Sequence, residues 1–179
     1  MAEFLWIFWS FSLLGWVLER LFAAVTRSPR RRRRCLLLLP LCPVYGLGMA
    51  AVLALPPSLR SGWPLYLWGG LTATSVEYIY HWWGETFLSV SFWDYTGGFG
   101  NLRGRVCLPF SLAWGLLLFP AVYLVTPPVV ALADRVPVGV TWWLLLAFTA
   151  DAVCSLRFLA VTHDLEALRA VIWTVSGDR

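Results

Sequence analysis

Six arginines crowd into the eight residues from Arg27 to Arg34, and a long apolar stretch flanks them on each side. Phe4 to Val25 is interrupted only by Glu19 and Arg20, and Cys35 to Leu59 runs twenty-five residues without a charge. About 20 mostly apolar residues suffice to carry a helix across the hydrocarbon layer. A short, strongly basic loop between two such stretches stays on the cytoplasmic side. The pattern predicts an all-α, polytopic transmembrane helix bundle with its N-terminus outside and its C-terminus inside.

Five spans are expected, at about residues 4–25, 35–55, 63–87, 107–125 and 138–160. An interfacial loop over 88–106 and a short cytoplasmic tail over 161–179 complete a single membrane domain. Pro56-Pro57, Pro127-Pro128 and Pro137 punctuate the span ends. Trp63, Trp82, Trp83 and Trp93 suit interfacial belts, where an indole is half wet and half apolar. With the basic loop inside, only Arg60 and Arg135 fall outside, and the other twelve arginines lie at the inner face. The first stretch lacks a basic n-region and is long enough to span, so it is expected to act as its own insertion signal. These features place the chain in the inner membrane as a multi-pass protein. In the tail, Leu165, Leu168, Ile172 and Val175 line one helical face, as an interfacial helix or as a continuation of the fifth span.

The chain is 59% hydrophobic and 13% charged, with a formal net charge of +4. Its cations sit beside spans, so the expected partners are the lipid bilayer and anionic headgroups near Arg30–Arg34, not nucleic acid. All fourteen basic residues are Arg. A Walker A phosphate loop and Schiff-base chemistry both require a lysine, so both are excluded. This weighs against an enzyme and requires any ATPase to be a separate subunit.

The acids follow a rule. Fifteen uncharged residues precede Glu19, sixteen precede Glu77 and fifteen precede Asp151, and all three spans run from outside to inside. Each carboxylate therefore lies in the inner half of its helix. At that depth an unpaired charge costs several kcal/mol, so such groups face a bundle interior. Glu77, His81 and Glu85 repeat every four residues and form one polar stripe. Arg105, and also Arg157, are candidate counter-ions at the same face. Asp94 and Asn101 come from a glycine-rich loop long enough to be functional. The candidate substrate-binding set is Glu19, Glu77, His81, Glu85, Asp94, Asn101, Arg105 and Asp151. No cofactor is expected; the alternative is a metal at His81 with carboxylates from Glu77, Glu85 or Asp94. The four cysteines fall on the reducing side, without zinc spacing, and are expected to be free thiols. Pro40, Pro43, Gly46 and Gly48 break the second span, as a kink or as the lining of a site.

Several segments together resemble one family. They are Gly15-Trp16 with Glu19, Cys42-Pro43-Val44-Tyr45-Gly46-Leu47-Gly48, Glu77-Tyr78, Trp93-Asp94-Tyr95, Asn101 to Leu108, and Ser111 with Trp114-Gly115. The chain resembles the Putative ABC-transporter type IV family of membrane proteins, also called CmpB-like, over roughly residues 5–120. No similarity is read after Val125. Thr96 stands where that family more often has Ser, and Gly98-Phe99-Gly100 precedes Asn101 where a Pro is common. The resemblance implies a small polytopic membrane protein of transporter or permease type, with a homo-oligomer or a separate ATPase subunit completing it. The residues alone also admit a lipid-active enzyme at the inner leaflet, or a non-catalytic lipid-binding scaffold.

Overall fold

Helices form where the apolar runs lie. The computed structural model describes residues 2–26 and 35–168, so the arginine run of the basic loop and the tail beyond residue 168 lie outside the described residues. We name α1 as Ala2–Thr26, α2 as Pro43–Leu53, α3 as the continuous helix from Gly62 to Leu88, α4 as Leu108–Ala133 and α5 as Val138–Thr162. Among the described residues no strand forms, and the one β-bridge pairs Leu102 with Val106. Three helices, α1, α4 and α5, are long and apolar enough to cross a membrane. Their outer faces are apolar: Leu21 is 59% exposed, Leu124 71% and Val161 81%. Contiguous exposed apolar surface on this scale suits a hydrocarbon surround and not water.

The second predicted span is corrected. Residues 35–42 are not helical, and α2 has only 11 residues, about 16 Å of rise and too short to cross alone. Pro40 and Pro43 are the reason, because each removes a donor and disfavours helix in the residue before it. Cys42 accordingly adopts an extended backbone, φ −110° and ψ 93°. The freed amides find partners on neighbouring helices. Leu38 and Leu39 donate to the two carboxylate oxygens of Asp151, each at 3.1 Å. Cys42 N donates to the carbonyl of Ser12 at 2.9 Å. The same bend brings the Cα atoms of Cys35 and Cys42 to 5.1 Å and joins these two residues in a disulfide. That corrects the expectation of four free thiols; Cys107 and Cys154 are free.

The fourth predicted span is also corrected. Pro127-Pro128 does not end it, and α4 continues to Ala133. A π-helical turn over Ala121–Val125 shifts the backbone register just before the prolines, with the Thr126 N–H donating to the Ala121 carbonyl, and the Thr126 hydroxyl donates to the same carbonyl at 2.8 Å. α3 carries two π-helical turns of its own, Leu65–Gly69 and Gly84–Leu88. α5 stops at His163, whose left-handed backbone (φ 52°) rules out a simple continuation into the tail. His163 Nδ1 donates to the Leu88 carbonyl at 2.7 Å and ties the ends of α3 and α5 together.

Close packing of α1 on α2 depends on two glycines. A Cβ at Gly15 would enter the Tyr45 ring, and one at Gly46 would strike the Phe8 carbonyl and the Ser12 hydroxyl. One end of the bundle is filled by Ile7, Phe11, Met49, Val52, Leu65 and Leu118. At the other end, Phe92, Trp93 and Tyr95 of the 89–107 loop fold inward with Leu88, Leu159 and Leu165. Trp93 is 5% exposed, which corrects its assignment to an interfacial belt. It leaves the interface because its indole donates to the Arg105 carbonyl at 2.7 Å and its ring packs on His81 at 4.7 Å. Gly46→Ala is expected to lower stability by about 1–3 kcal/mol through overpacking, read as a fall in the thermal midpoint of the purified protein. Gly48→Ala, which meets open space inside a helix, is expected to hold or raise the midpoint, since alanine favours helix over glycine.

Candidate functional site

The inward stripe of α3 centres on two nearly inaccessible polar side chains, Glu77 at 2% exposure and His81 at 1%. A carboxylate offers only acceptors when ionised, so its neighbours must donate. The Tyr95 hydroxyl donates to Glu77 Oε1 at 3.3 Å, and Trp114 Nε1 donates to Oε2 at 2.7 Å. Tyr95 comes from the 89–107 loop and Trp114 from α4. On α1, Glu19 accepts a short hydrogen bond from the Tyr45 hydroxyl of α2. The rings of Tyr45 and Trp114 meet edge to face, 5.3 Å between centroids. The two acids thus flank one aromatic pair.

Two cavities adjoin at this pair. The larger, about 330 Å³, lies among α1, α2, α3 and α4, and its walls are almost wholly apolar, with the rings of Phe11, Tyr45 and Trp114 among aliphatic side chains and Glu77 as their one acid. Leu14, Val17, Leu18 and Leu21 of α1 and Leu117 of α4 line it and are also exposed on the outside of the bundle, so it opens sideways between these helices. The smaller, about 210 Å³, is ringed by Phe22, Tyr45, Tyr95, Phe110 and Trp114, with Glu19 in its wall. Leu18, Tyr45, Trp114 and Leu117 line both. Among the described residues, none that lines either cavity is basic.

The rest of the stripe faces elsewhere. Glu85 accepts from Arg105 Nε at 2.7 Å, and Arg105 also donates to the Tyr78 hydroxyl at 2.8 Å with its guanidinium over the Tyr78 ring. The Glu85 hydrogen bond raises the guanidinium pKa above its ordinary value, with Tyr78 adding to the effect and burial opposing it. Arg105 therefore stays charged throughout the physiological range. His81 Nε2 lies 3.1 Å from Glu85 Oε1 and 3.3 Å from Ser91 Oγ. A nucleophile relay needs the hydroxyl and the acid on opposite ring nitrogens, and here both meet the same one. Among the described residues no three His, Cys, Asp or Glu side chains converge as metal ligands.

The remaining predicted residues hold backbone. Asp94 Oδ1 accepts from Thr96 N at 2.9 Å. Asn101 donates to the carbonyls of Thr96 and Gly98, both at 3.0 Å, and accepts from Gly104 N at 3.2 Å. Asp151 receives the Leu38 and Leu39 amides and the Ser155 hydroxyl. Of the eight candidates, the structure brings Glu19 and Glu77 to the cavities, groups His81, Glu85 and Arg105 away from them, and gives Asp94, Asn101 and Asp151 backbone partners. Tyr45, Tyr95 and Trp114 were not among the candidates. Each is an aromatic donor within an otherwise apolar stretch, and that was the available signal.

The family described as Putative ABC-transporter type IV matches residues 6–156. The match includes both cavities and most of α5, well beyond the similarity read to residue 120. No curated protein and no solved structure matches the chain significantly. For the outlying ion pair, a double-mutant cycle of Glu85→Gln and Arg105→Ala is expected to give a small favourable coupling energy, as ion pairs at partly exposed positions do. Chemical denaturation of the four proteins measures it.

Proposed function

We propose, for a chain that belongs to the Putative ABC-transporter type IV family, that it is the membrane-embedded, multi-pass subunit of a transporter in the inner membrane. The observation that carries this reading is Glu77. A carboxylate sunk among apolar helices costs several kcal/mol unless its setting is arranged for it. This one is arranged, with a donor on each oxygen and a cavity of solute size beside it. An apolar residue would serve packing alone at lower cost, so the acid is better explained by use than by structure.

In the proposed placement the 35–42 bend, the 89–107 loop and the C-terminal end of α5 face the cytoplasm, and the acids lie in the inner half of the bundle. This follows from the basic loop. The irregular backbone at 35–42 supports it, since broken helices at membrane depth accompany binding sites where their amides are satisfied by protein. With no lysine in the chain, nucleotide hydrolysis of the Walker type falls to a separate subunit, and a second copy of this chain would complete the pathway.

Flux tests the reading. Inverted vesicles from cells expressing the chain, supplied with ATP, are presented with a panel of inorganic cations, organic amines, amino acids and sugars. At least one solute is expected to enter several-fold faster than in vesicles lacking the protein, and Glu77→Gln is expected to reduce that flux about tenfold or more. Equal flux of every solute in vesicles with and without the protein contradicts the reading, as does a flux that Glu77→Gln leaves unchanged.

A further inference from the structure

The larger cavity reaches the outside of the bundle along the middle of two helices. Its wall on α1 runs from Phe11 to Leu21, and its wall on α4 from Trp114 to Val125. Both stretches lie at least five residues inside the ends of helices long and apolar enough to span, about 7 Å of rise. Leu14, Val17 and Leu21 line the cavity and are also exposed on the outer face. The wall is therefore continuous with the apolar surface that suits a hydrocarbon surround. Phe11, Met49 and Leu118 line it as well, and they are only 8%, 4% and 7% exposed, so the cavity passes beneath the bundle's outer layer. We infer that it takes up one acyl chain of a membrane phospholipid, which enters sideways between α1 and α4. From the proposed function this inference takes only the chain's place in a bilayer.

Three observations select that occupant. The first is the chemistry of the wall. Beside Glu77 its side chains are apolar, except for Tyr45 and Trp114, whose polar atoms donate to Glu19 and Glu77. A buried water makes about three hydrogen bonds, and this wall offers few. Hydrocarbon needs none and gains dispersion contacts along the whole wall. The second is the room left by the backbone. Gly48 lines the cavity and is buried, yet a Cβ there would meet no atom within 4 Å. On α4 the cavity is lined by Pro120 and by Ala121 and Val125 of the π-helical turn, a distortion that recurs at functional sites. The third is depth. Headgroups stay in the polar interface, and a wall that begins well inside the helix ends meets chains alone. The bilayer presents phospholipid chains in large excess over free amphiphiles, and occupancy follows concentration.

Photolabelling reads the occupant. The wild-type chain is placed in nanodiscs of phosphatidylethanolamine and phosphatidylglycerol, with a trace of phosphatidylethanolamine carrying a mid-chain diazirine. After irradiation the labelled residues are identified by peptide mass spectrometry. Lipid around the bundle is expected to label Trp143 and Val161 of α5, 73% and 81% exposed. Labels on Phe11, Met49 and Leu118 are expected in addition, because a chain reaches them from within the cavity. Gly48→Phe, which fills the cavity, is expected to reduce those three labels severalfold and to leave the labels on α5 unchanged. Ala121→Phe fills it from α4, so the test survives if one variant fails to fold. Gly139→Phe, in open space and outside the cavity wall, is expected to keep the wild-type pattern. Labels confined to exposed residues overturn the inference, as do labels on Phe11, Met49 and Leu118 that neither filling variant reduces. Labelling of these three by diazirine palmitic acid and not by the phospholipid also overturns it, and gives the cavity to a free fatty acid. Labelling of the buried wall without flux of any solute would leave this inference standing and remove the transport reading. Flux without such labelling would do the reverse.

Discussion

A carboxylate surrounded by apolar helices is stable only where donors converge on it, and Glu77 receives them from two separate parts of the chain. Trp114 reaches it from α4 and Tyr95 from the loop that precedes α4. This one group therefore sets the depth of the loop against α3. Once Tyr95 is drawn in, it stacks on Phe110 at 4.9 Å. Phe92 and Trp93 accompany it, with Phe92 fully buried against Tyr80 at 5.0 Å. The loop becomes part of the bundle's core and contributes Tyr95 to the wall of the smaller cavity.

The same logic governs the broken entry to α2. Backbone amides without helical partners must be satisfied by something nearby when water is absent. Asp151 of α5 and the Ser12 carbonyl of α1 serve the bend at 35–42. An acid set among apolar helices thus has two distinct uses here. Asp151 spends both its oxygens on backbone and is structural. Glu77 and Glu19 take side-chain donors and line open volume. Sequence depth alone does not separate these cases, because all three acids come after apolar runs of nearly equal length.

What the sequence disclosed tracks the range of each signal. Hydropathy acts over a whole helix, so α1 and α5 lie within two residues of their predicted ends; α3 does too, although it is not among the helices apolar enough to cross a membrane. Proline acts locally, and its effect depends on what can absorb the missing donor. Pro40 and Pro43 stop a helix where Asp151 takes the freed amides, whereas Pro127 and Pro128 are carried through by a π-helical turn. Trp93 looked interfacial by type, yet its indole proton finds a carbonyl inside. The paired cysteines were hidden because the cytoplasmic side argues for free thiols, whereas the bend between them brings Cys35 and Cys42 to bonding distance. Polar candidates were legible by depth, while their aromatic partners required the helix packing to be known.

The position of Glu77, inside the bundle beside a cavity whose mouth lies between apolar helix faces, is open to chemical test. Carbodiimides of opposite solubility provide it in native membranes, with the modified residue identified by peptide mass spectrometry. A lipid-soluble carbodiimide is expected to modify Glu77, and a water-soluble one is expected to spare it. Modification of Glu77 by the water-soluble reagent, with the lipid-soluble one leaving it untouched, would overturn this placement.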